Sequence, residues 1–178
     1  KNIYNKYMAA TFYAKYNNYA ESEKLYTEAL TISPSNQEIL ISFGTMYLSK
    51  ADYEKADEKF QLAFDLEKSN PKARLYLIAS SNFKNDFNKA IGLLDGFSEV
   101  QVGYKYDSNI IESFILNKQN DLALSLIEKK CSASFDCSRD YMLLGRSFYN
   151  NKQFPEAEVY FNKAMSLNPS LRAEALRM

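Results

Sequence analysis

Small and aromatic residues return along this chain at a fixed step. Ser22, Ala56, Ala90, Ala123 and Ala157 stand 34, 34, 33 and 34 residues apart. A column of large residues keeps the same step at Tyr26, Phe60, Leu94, Ile127 and Phe161, and a third begins Tyr19, Tyr53 and Phe87. Within one block, Ala56, Phe60 and Ala63 fall at i, i+4 and i+7, one face of a helix, with Glu, Lys, Asp and Gln between them on the wet face. A second helical pattern precedes each block: Leu40, Phe43, Gly44 and Tyr47 in one copy, Tyr141, Leu144, Gly145 and Phe148 in another. The punctuation agrees. Ser35 with Glu38 reads as a capping box opening a helix. Pro71 and Pro155 suit first-turn positions, while Pro34 and Pro169 follow apolar runs where a helix should stop. The third column breaks at Phe97 and Lys130, where Ala29, Ala63 and Ala164 stand in other copies.

Such a period signals an array of helix pairs, because one pair cannot bury its own apolar face and must stack on a neighbour. Gly or Ala in the first helix and Ala in the second let the two approach closely, and the aromatics fill the space to the next pair. One stretch departs from the pattern. Three of the five glycines, Gly92, Gly96 and Gly103, fall near DGFSEVQVGYKYD (95–107), which has no helical period. It reads as a long connection that ends the preceding helix early and kinks the array.

The residues Tyr141, Leu144, Gly145, Phe148, Phe154, Ala157, Phe161, Ala164 and Pro169 resemble the tetratricopeptide repeat. The copy around Gly44 and Phe60 matches nearly as well, with its proline, Pro71, late. The first copy keeps Ala9, Ala10, Tyr13, Tyr19, Tyr26, Ala29 and Pro34 but has Lys6 at a usual apolar position. The resemblance implies an all-α fold over residues 1–178: one right-handed superhelical solenoid of antiparallel helix pairs, with about 10–11 helices. The repeats fall at about 3–36, 37–70, 71–103, 104–137 and 138–171, with the start of a further helix at 172–178.

The resemblance also implies a function: a non-enzymatic scaffold or adaptor that holds a partner's peptide or helix in a concave groove lined by the first helices. Carried across by position, the groove takes Tyr4, Tyr7, Thr11 and Ala14 from the first repeat and Glu38, Ile41, Thr45 and Leu48 from the second. The third supplies Lys72, Leu75, Ala79 and Asn82, and the fourth Lys105, Ser108, Glu112 and Ile115. Arg139, Met142, Arg146 and Tyr149 come from the fifth. Aromatics, Arg and exposed apolar residues are the types that anchor interfaces. Co-chaperones of the family grip a carboxylate with Lys, Asn, Asn, Lys and Arg. The equivalent places here hold Tyr7, Thr11, Ser42, Lys72 and Tyr76, and only Lys72 agrees.

Charge narrows the alternatives. Lys+Arg and Asp+Glu balance at 22 each, without the basic excess that phosphate binding needs, so no nucleic-acid partner is expected. An RNA binder resembling pentatricopeptide proteins would want a longer period as well as that excess. A helical module of a larger enzyme is the other alternative, its catalytic part lying outside these residues. The chain has no histidine, which removes the commonest general base and metal ligand, and carries no phosphate-binding glycine motif. No cofactor or metal is expected. No apolar run approaches the roughly 18 residues of a membrane span, so no direct membrane insertion is expected. The chain begins at Lys1 rather than Met, so a missing signal sequence carries no weight. Self-association through the solenoid ends is a further expectation. Cys131 and Cys137 flank a short loop that can bring them within bonding distance. A disulfide would imply an oxidising compartment such as a bacterial periplasm, and two thiols a reducing cytoplasm.

Overall fold

The computed structural model describes residues 2–98, 101–105 and 107–175. Residues 99, 100 and 106 of the glycine-rich stretch, and 176–178 of the expected last helix, lie outside the described residues. Helices follow one another in pairs: α1 (Ile3–Lys15), α2 (Tyr19–Ile32), α3 (Gln37–Ser49), α4 (Tyr53–Leu66), α5 (Pro71–Phe83) and α6 (Phe87–Leu94). A short α7 (Val102–Lys105) precedes α8 (Ser108–Leu116), α9 (Asn120–Ser132), α10 (Ser138–Asn150), α11 (Phe154–Leu167), a 3-10 turn (Pro169–Leu171) and α12 (Arg172–Ala175). The chain divides into two compact units, Lys1–Phe97 and Ser98–Met178, and the boundary falls inside the stretch that lost its period.

The turn inside each pair is built alike. Asn17, Ala51, Asn85, Lys118 and Lys152 all have φ of 60–62°. In each case the next residue's N–H reaches back five places, as in Asn18 to the Tyr13 carbonyl at 2.9 Å and Gln153 to the Phe148 carbonyl at 3.0 Å. This is a Schellman closure, which satisfies the carbonyls a helix end leaves open. The residue after it caps the second helix. Asn18, Asp52 and Asp86 accept backbone N–H bonds with their side chains, whereas Gln119 and Gln153 do not. Pro71 opens α5 behind the N-cap Asn70. The expected box at Ser35 is corrected: the N-cap of α3 is Asn36, one residue on, bonded to the Ile39 N–H at 3.1 Å.

In the first unit α1, α3 and α5 each pair with the helix that follows, and α2 and α4 pack on the next pair. Gly44 makes this close. A Cβ there would lie 2.5 Å from the buried Phe60 ring, so the aromatic lies directly over the α3 backbone. Rings then run through the unit, Tyr26 on Phe43 at 5.0 Å and Phe60 on Tyr76 at 5.2 Å. Asp57 of α4 is buried and answered from the neighbouring pair by Ser80 Oγ at 2.9 Å and Lys89 Nζ at 3.0 Å. The early end of α6 has a cause. Arg74 of α5 donates to the carbonyls of Leu93 and Lys68 and lies over the rings of Phe64 and Phe97. A Cβ at Gly96 would sit 1.8 Å from the Arg74 guanidinium, so a larger residue there would have to displace the end of that side chain.

In the second unit α8 pairs with α9 and α10 with α11, and α8 also packs on α10. Gly145 repeats the role of Gly44, with a Cβ position 2.7 Å from Phe161. The break in the alanine column is filled by an ion pair. Lys130 is buried at the end of α9, 2.6 Å from the buried Asp140 of α10 and 2.9 Å from Ser108 Oγ. Beside it a disulfide joins Cys131 to Cys137, with the Cα atoms 5.6 Å apart. Lys105 belongs to α7 and not to the first helix of a pair, because α8 starts only at Ser108.

Candidate functional site

The first helices of the first unit enclose a cleft of about 320 Å³, whose lining comes from α1, α3 and α5 together with Tyr26 of α2. Ile41 and Met46 give it an apolar floor, and Lys15 and Lys72 bring two cations. Thr11, Ser42, Thr45 and Ser49 supply hydroxyls. Most of these already have a donor's target: Thr45 Oγ1 donates to the Ile41 carbonyl at 2.9 Å and Ser49 Oγ to the Thr45 carbonyl at 3.2 Å. Their remaining capacity is to accept. Thr11 Oγ1 and the Tyr26 hydroxyl are 3.1 Å apart, and burial pushes the Tyr26 hydroxyl up from its ordinary value, so it stays a neutral phenol. Tyr7 closes one side, its hydroxyl 3.2 Å from Ser42 Oγ and 3.3 Å from Glu38 Oε1. Such a surface can offer hydrogen bonds, two positive charges and an apolar floor to a chain laid across it.

Of the residues expected in the groove, Thr11, Ala14, Ile41, Thr45 and Lys72 line this cleft, and Tyr7 borders it through Ser42. Leu48 is half-buried and Tyr4 stands exposed. Leu75 and Ala79 are buried, and Ile41 is too, touching the cleft only as its floor. The cause is crowding, since α3 packs against α2 and α4, α5 packs against α4 and α6, and α3 and α5 also touch each other. Leu75 and Ala79 pack between helices and do not line the cleft. Lys15, Tyr26, Met46 and Ser49 do line it, outside the expected positions. Tyr26 belongs to a packing column, and only its hydroxyl, emerging beside Thr11, reaches the cleft.

In the second unit the expected residues come together only in part: Glu112, Ile115 and Arg146 share a cleft, and Arg139, Met142 and Tyr149 lie apart from it. Met142 is buried and Arg139 is exposed. Arg146 lines a cleft of about 310 Å³ between α8 and α10 with Glu112 and Ile115, and pairs with Glu174 of α12. Tyr149 instead meets Phe154 edge-on at 5.4 Å and lines an apolar recess of about 330 Å³ with Phe161 and Met165. Among the described residues no group of three or more His, Cys, Asp or Glu side chains is placed to hold a metal ion, and no helix is long and apolar enough to cross a membrane.

Comparison with known proteins agrees with this architecture. Family models described as Tetratricopeptide repeat match residues 138–171 and 4–36. The human protein named Tetratricopeptide repeat protein 6 is 25% identical over 156 residues, covering 84% of this chain. The aligned region is 29% of that relative's length. Among solved structures, a tetratricopeptide repeat protein from Parabacteroides merdae superposes with a TM-score of 0.68 at 20% identity, over 99% of this chain and 70% of its own. PilW, described as a widely conserved type IV pilus biogenesis factor, gives 0.70 at 18% identity, over 98% and 81%. MamA gives 0.64 at 20% identity, over 93% and 91%. At such identities the likeness is one of fold.

Proposed function

Because the chain is a tetratricopeptide repeat protein, built on a fold that generally serves as a protein–protein interaction scaffold, we propose that it binds a partner's peptide in the cleft of the first unit. The observation that carries this reading is the lining of that cleft, where Lys15 and Lys72 stand with accepting hydroxyls around the apolar floor of Ile41 and Met46. The chemistry favours an extended or helical segment that presents an apolar side chain beside an acidic one. The role is non-enzymatic, in keeping with a family that is generally non-catalytic, and Thr11, Thr45, Lys15 and Lys72 act by contact alone. Residues of the second unit, Arg139, Arg146 and Tyr149 among them, offer further contact points on that unit's own surface.

The test uses an array of immobilised peptides, acidic and neutral, with the wild-type chain and two variants. Lys15→Glu with Lys72→Glu reverses the cations, and Thr45→Arg fills the cleft from a half-buried position. Acidic peptides captured by the wild type should bind the double variant on the order of 10-fold more weakly or worse. Far-UV circular dichroism should remain unchanged. Undiminished capture by both variants places the contact elsewhere and ends the reading.

A further inference from the structure

One helix face in the first unit is apolar, exposed and unused by the cleft. Tyr4, Met8 and Phe12 of α1, with Tyr16 at its C-cap, follow one another at i+4 and so form a single row. They are 61%, 47%, 58% and 65% exposed, and none lines the cleft. The Phe12 and Tyr16 rings touch, with centroids 4.7 Å apart. Ala10, on the opposite face, is the one buried residue of α1. One and two repeats on, Met46 and Ser80 hold the place of Phe12, and both are buried where α3 packs on α2 and α5 on α4. At the Phe12 position the later helices of the unit are thus covered by a packed helix, while the places of Tyr4 and Tyr16 hold exposed charged residues there, Glu38, Lys72, Lys50 and Lys84.

Its chemistry says which kind of helix. Where α5 sets Ser80 and Lys84 against Asp57, and α3 sets Lys50 against Glu23 at 4.0 Å, α1 sets Phe12 and Tyr16. The helix that covers α1 must be apolar where α4 and α2 are acidic. A second copy presenting α11 does not meet this, because Glu158 holds the place of Asp57 in that helix. The row itself does. Antiparallel, and centred between residues 8 and 12, it places Met8 against the partner's Phe12 and Tyr4 against the partner's Tyr16. Sulfur on an aromatic ring is a favourable contact, and it forms twice. Charge permits the pairing. Helix α1 has no acidic residue; Lys6 is taken by Glu28, and Lys15 comes opposite the partner's Asn5.

We propose that the protein forms a two-fold dimer in which α1 packs on α1 of a second copy. Four large side chains on each copy give a total buried area on the order of 1,000 Å², the lower end for specific interfaces, so the dimer is weak and reversible. The dimer and the peptide cleft meet at Lys15, but Thr45 lies on α3, away from the row, and Thr45→Arg leaves dimerisation unchanged.

Sedimentation equilibrium of the whole chain, from roughly 1 to 500 µM, reads the association directly. The wild type should fit a monomer–dimer equilibrium. Phe12→Glu should raise the dissociation constant on the order of 10- to 100-fold, since each glutamate would face the partner's Met8. Tyr16→Ser, beyond the last turn of α1, should weaken it several-fold without disturbing the helix. Met8→Lys combined with Phe12→Glu should recover most of the affinity, because each lysine then faces the partner's glutamate. A monomeric wild type at every concentration overturns the proposal, and so does growth beyond a dimer. A dimer indifferent to both Phe12→Glu and Tyr16→Ser, or a double variant as weak as Phe12→Glu alone, overturns the face or the register.

Discussion

Five residues carry a left-handed backbone at the same place in five successive turns, and none of them is glycine. For Asn17 and Asn85 the cost is modest, because a short polar side chain tolerates this conformation. Ala51, Lys118 and Lys152 have no such excuse, and each holds its φ near 60° because the Schellman closure around it requires that value. Relief of Cβ strain by glycine is worth about 1–2 kcal/mol, and the extra freedom of the unfolded chain takes back part of it. Ala51→Gly, Lys118→Gly and Lys152→Gly should therefore each stabilise the protein by about 0.5–1 kcal/mol. Urea denaturation midpoints at unchanged m-value would register the gain, and a loss of stability at all three would contradict the turn geometry.

At the scale of helices, the repeats that look degenerate keep the same packing by other means. Where one pair sets Gly44 beneath Phe60 and another Gly145 beneath Phe161, the two intervening pairs carry Ile78 with Leu94 and Ile111 with Ile127 in the same two columns, all buried. Small with large has become medium with medium, so shape is conserved while the motif is lost. These columns were legible in the sequence, and so were the helix pairs and the early end of α6. The ion pair at Lys130 was not, because its partner Asp140 lies across a loop and in no column. Of the groove list, Leu75, Ala79 and Met142 are buried, for a related reason. Position along a helix fixes a direction, but only the neighbouring helices decide whether that direction meets solvent. The Lys130–Asp140 pair also yields a prediction. Removing one partner leaves a buried charge unanswered, so Asp140→Ala should cost about 3 kcal/mol or more. Lys130→Ala combined with Asp140→Ala restores the alanine of the other repeats and removes both charges. It should be less destabilised than Asp140→Ala alone, and a strictly additive cycle in urea would contradict the pairing.

Over the whole molecule, each compact unit holds an aspartate whose carboxyl lies below its ordinary value, buried between helix pairs in the first unit and exposed at a helix start in the second. In the first unit burial pushes the Asp57 carboxyl up, but the hydrogen bonds from Lys89 and Ser80 and the charges of Lys89 and Lys84 hold it on balance below its ordinary value of 3.8. In the second, the Ser138 backbone N–H is the largest influence holding Asp136 below its ordinary range. A carboxyl depressed in the folded state binds its proton more readily once unfolded. Its contribution is therefore fully present above the unfolded value and drains away as pH falls through the folded one. Asp57→Asn keeps a group that can bond Ser80 but gives up the attraction of Lys84 and Lys89. At neutral pH it should be less stable than the wild type by about 2 kcal/mol. Because protonation makes the wild type resemble the variant, that gap should hold down to about pH 4 and close below it. Denaturant unfolding of both proteins from neutral pH into the acid range measures the gap directly. A gap that stays constant through the acid range would mean that Asp57 is held by shape and not by charge. In the variant, a residual acid dependence should persist from Asp136, since the hydrogen bond from Ser138 at 3.0 Å lies in the other unit and is untouched by the substitution.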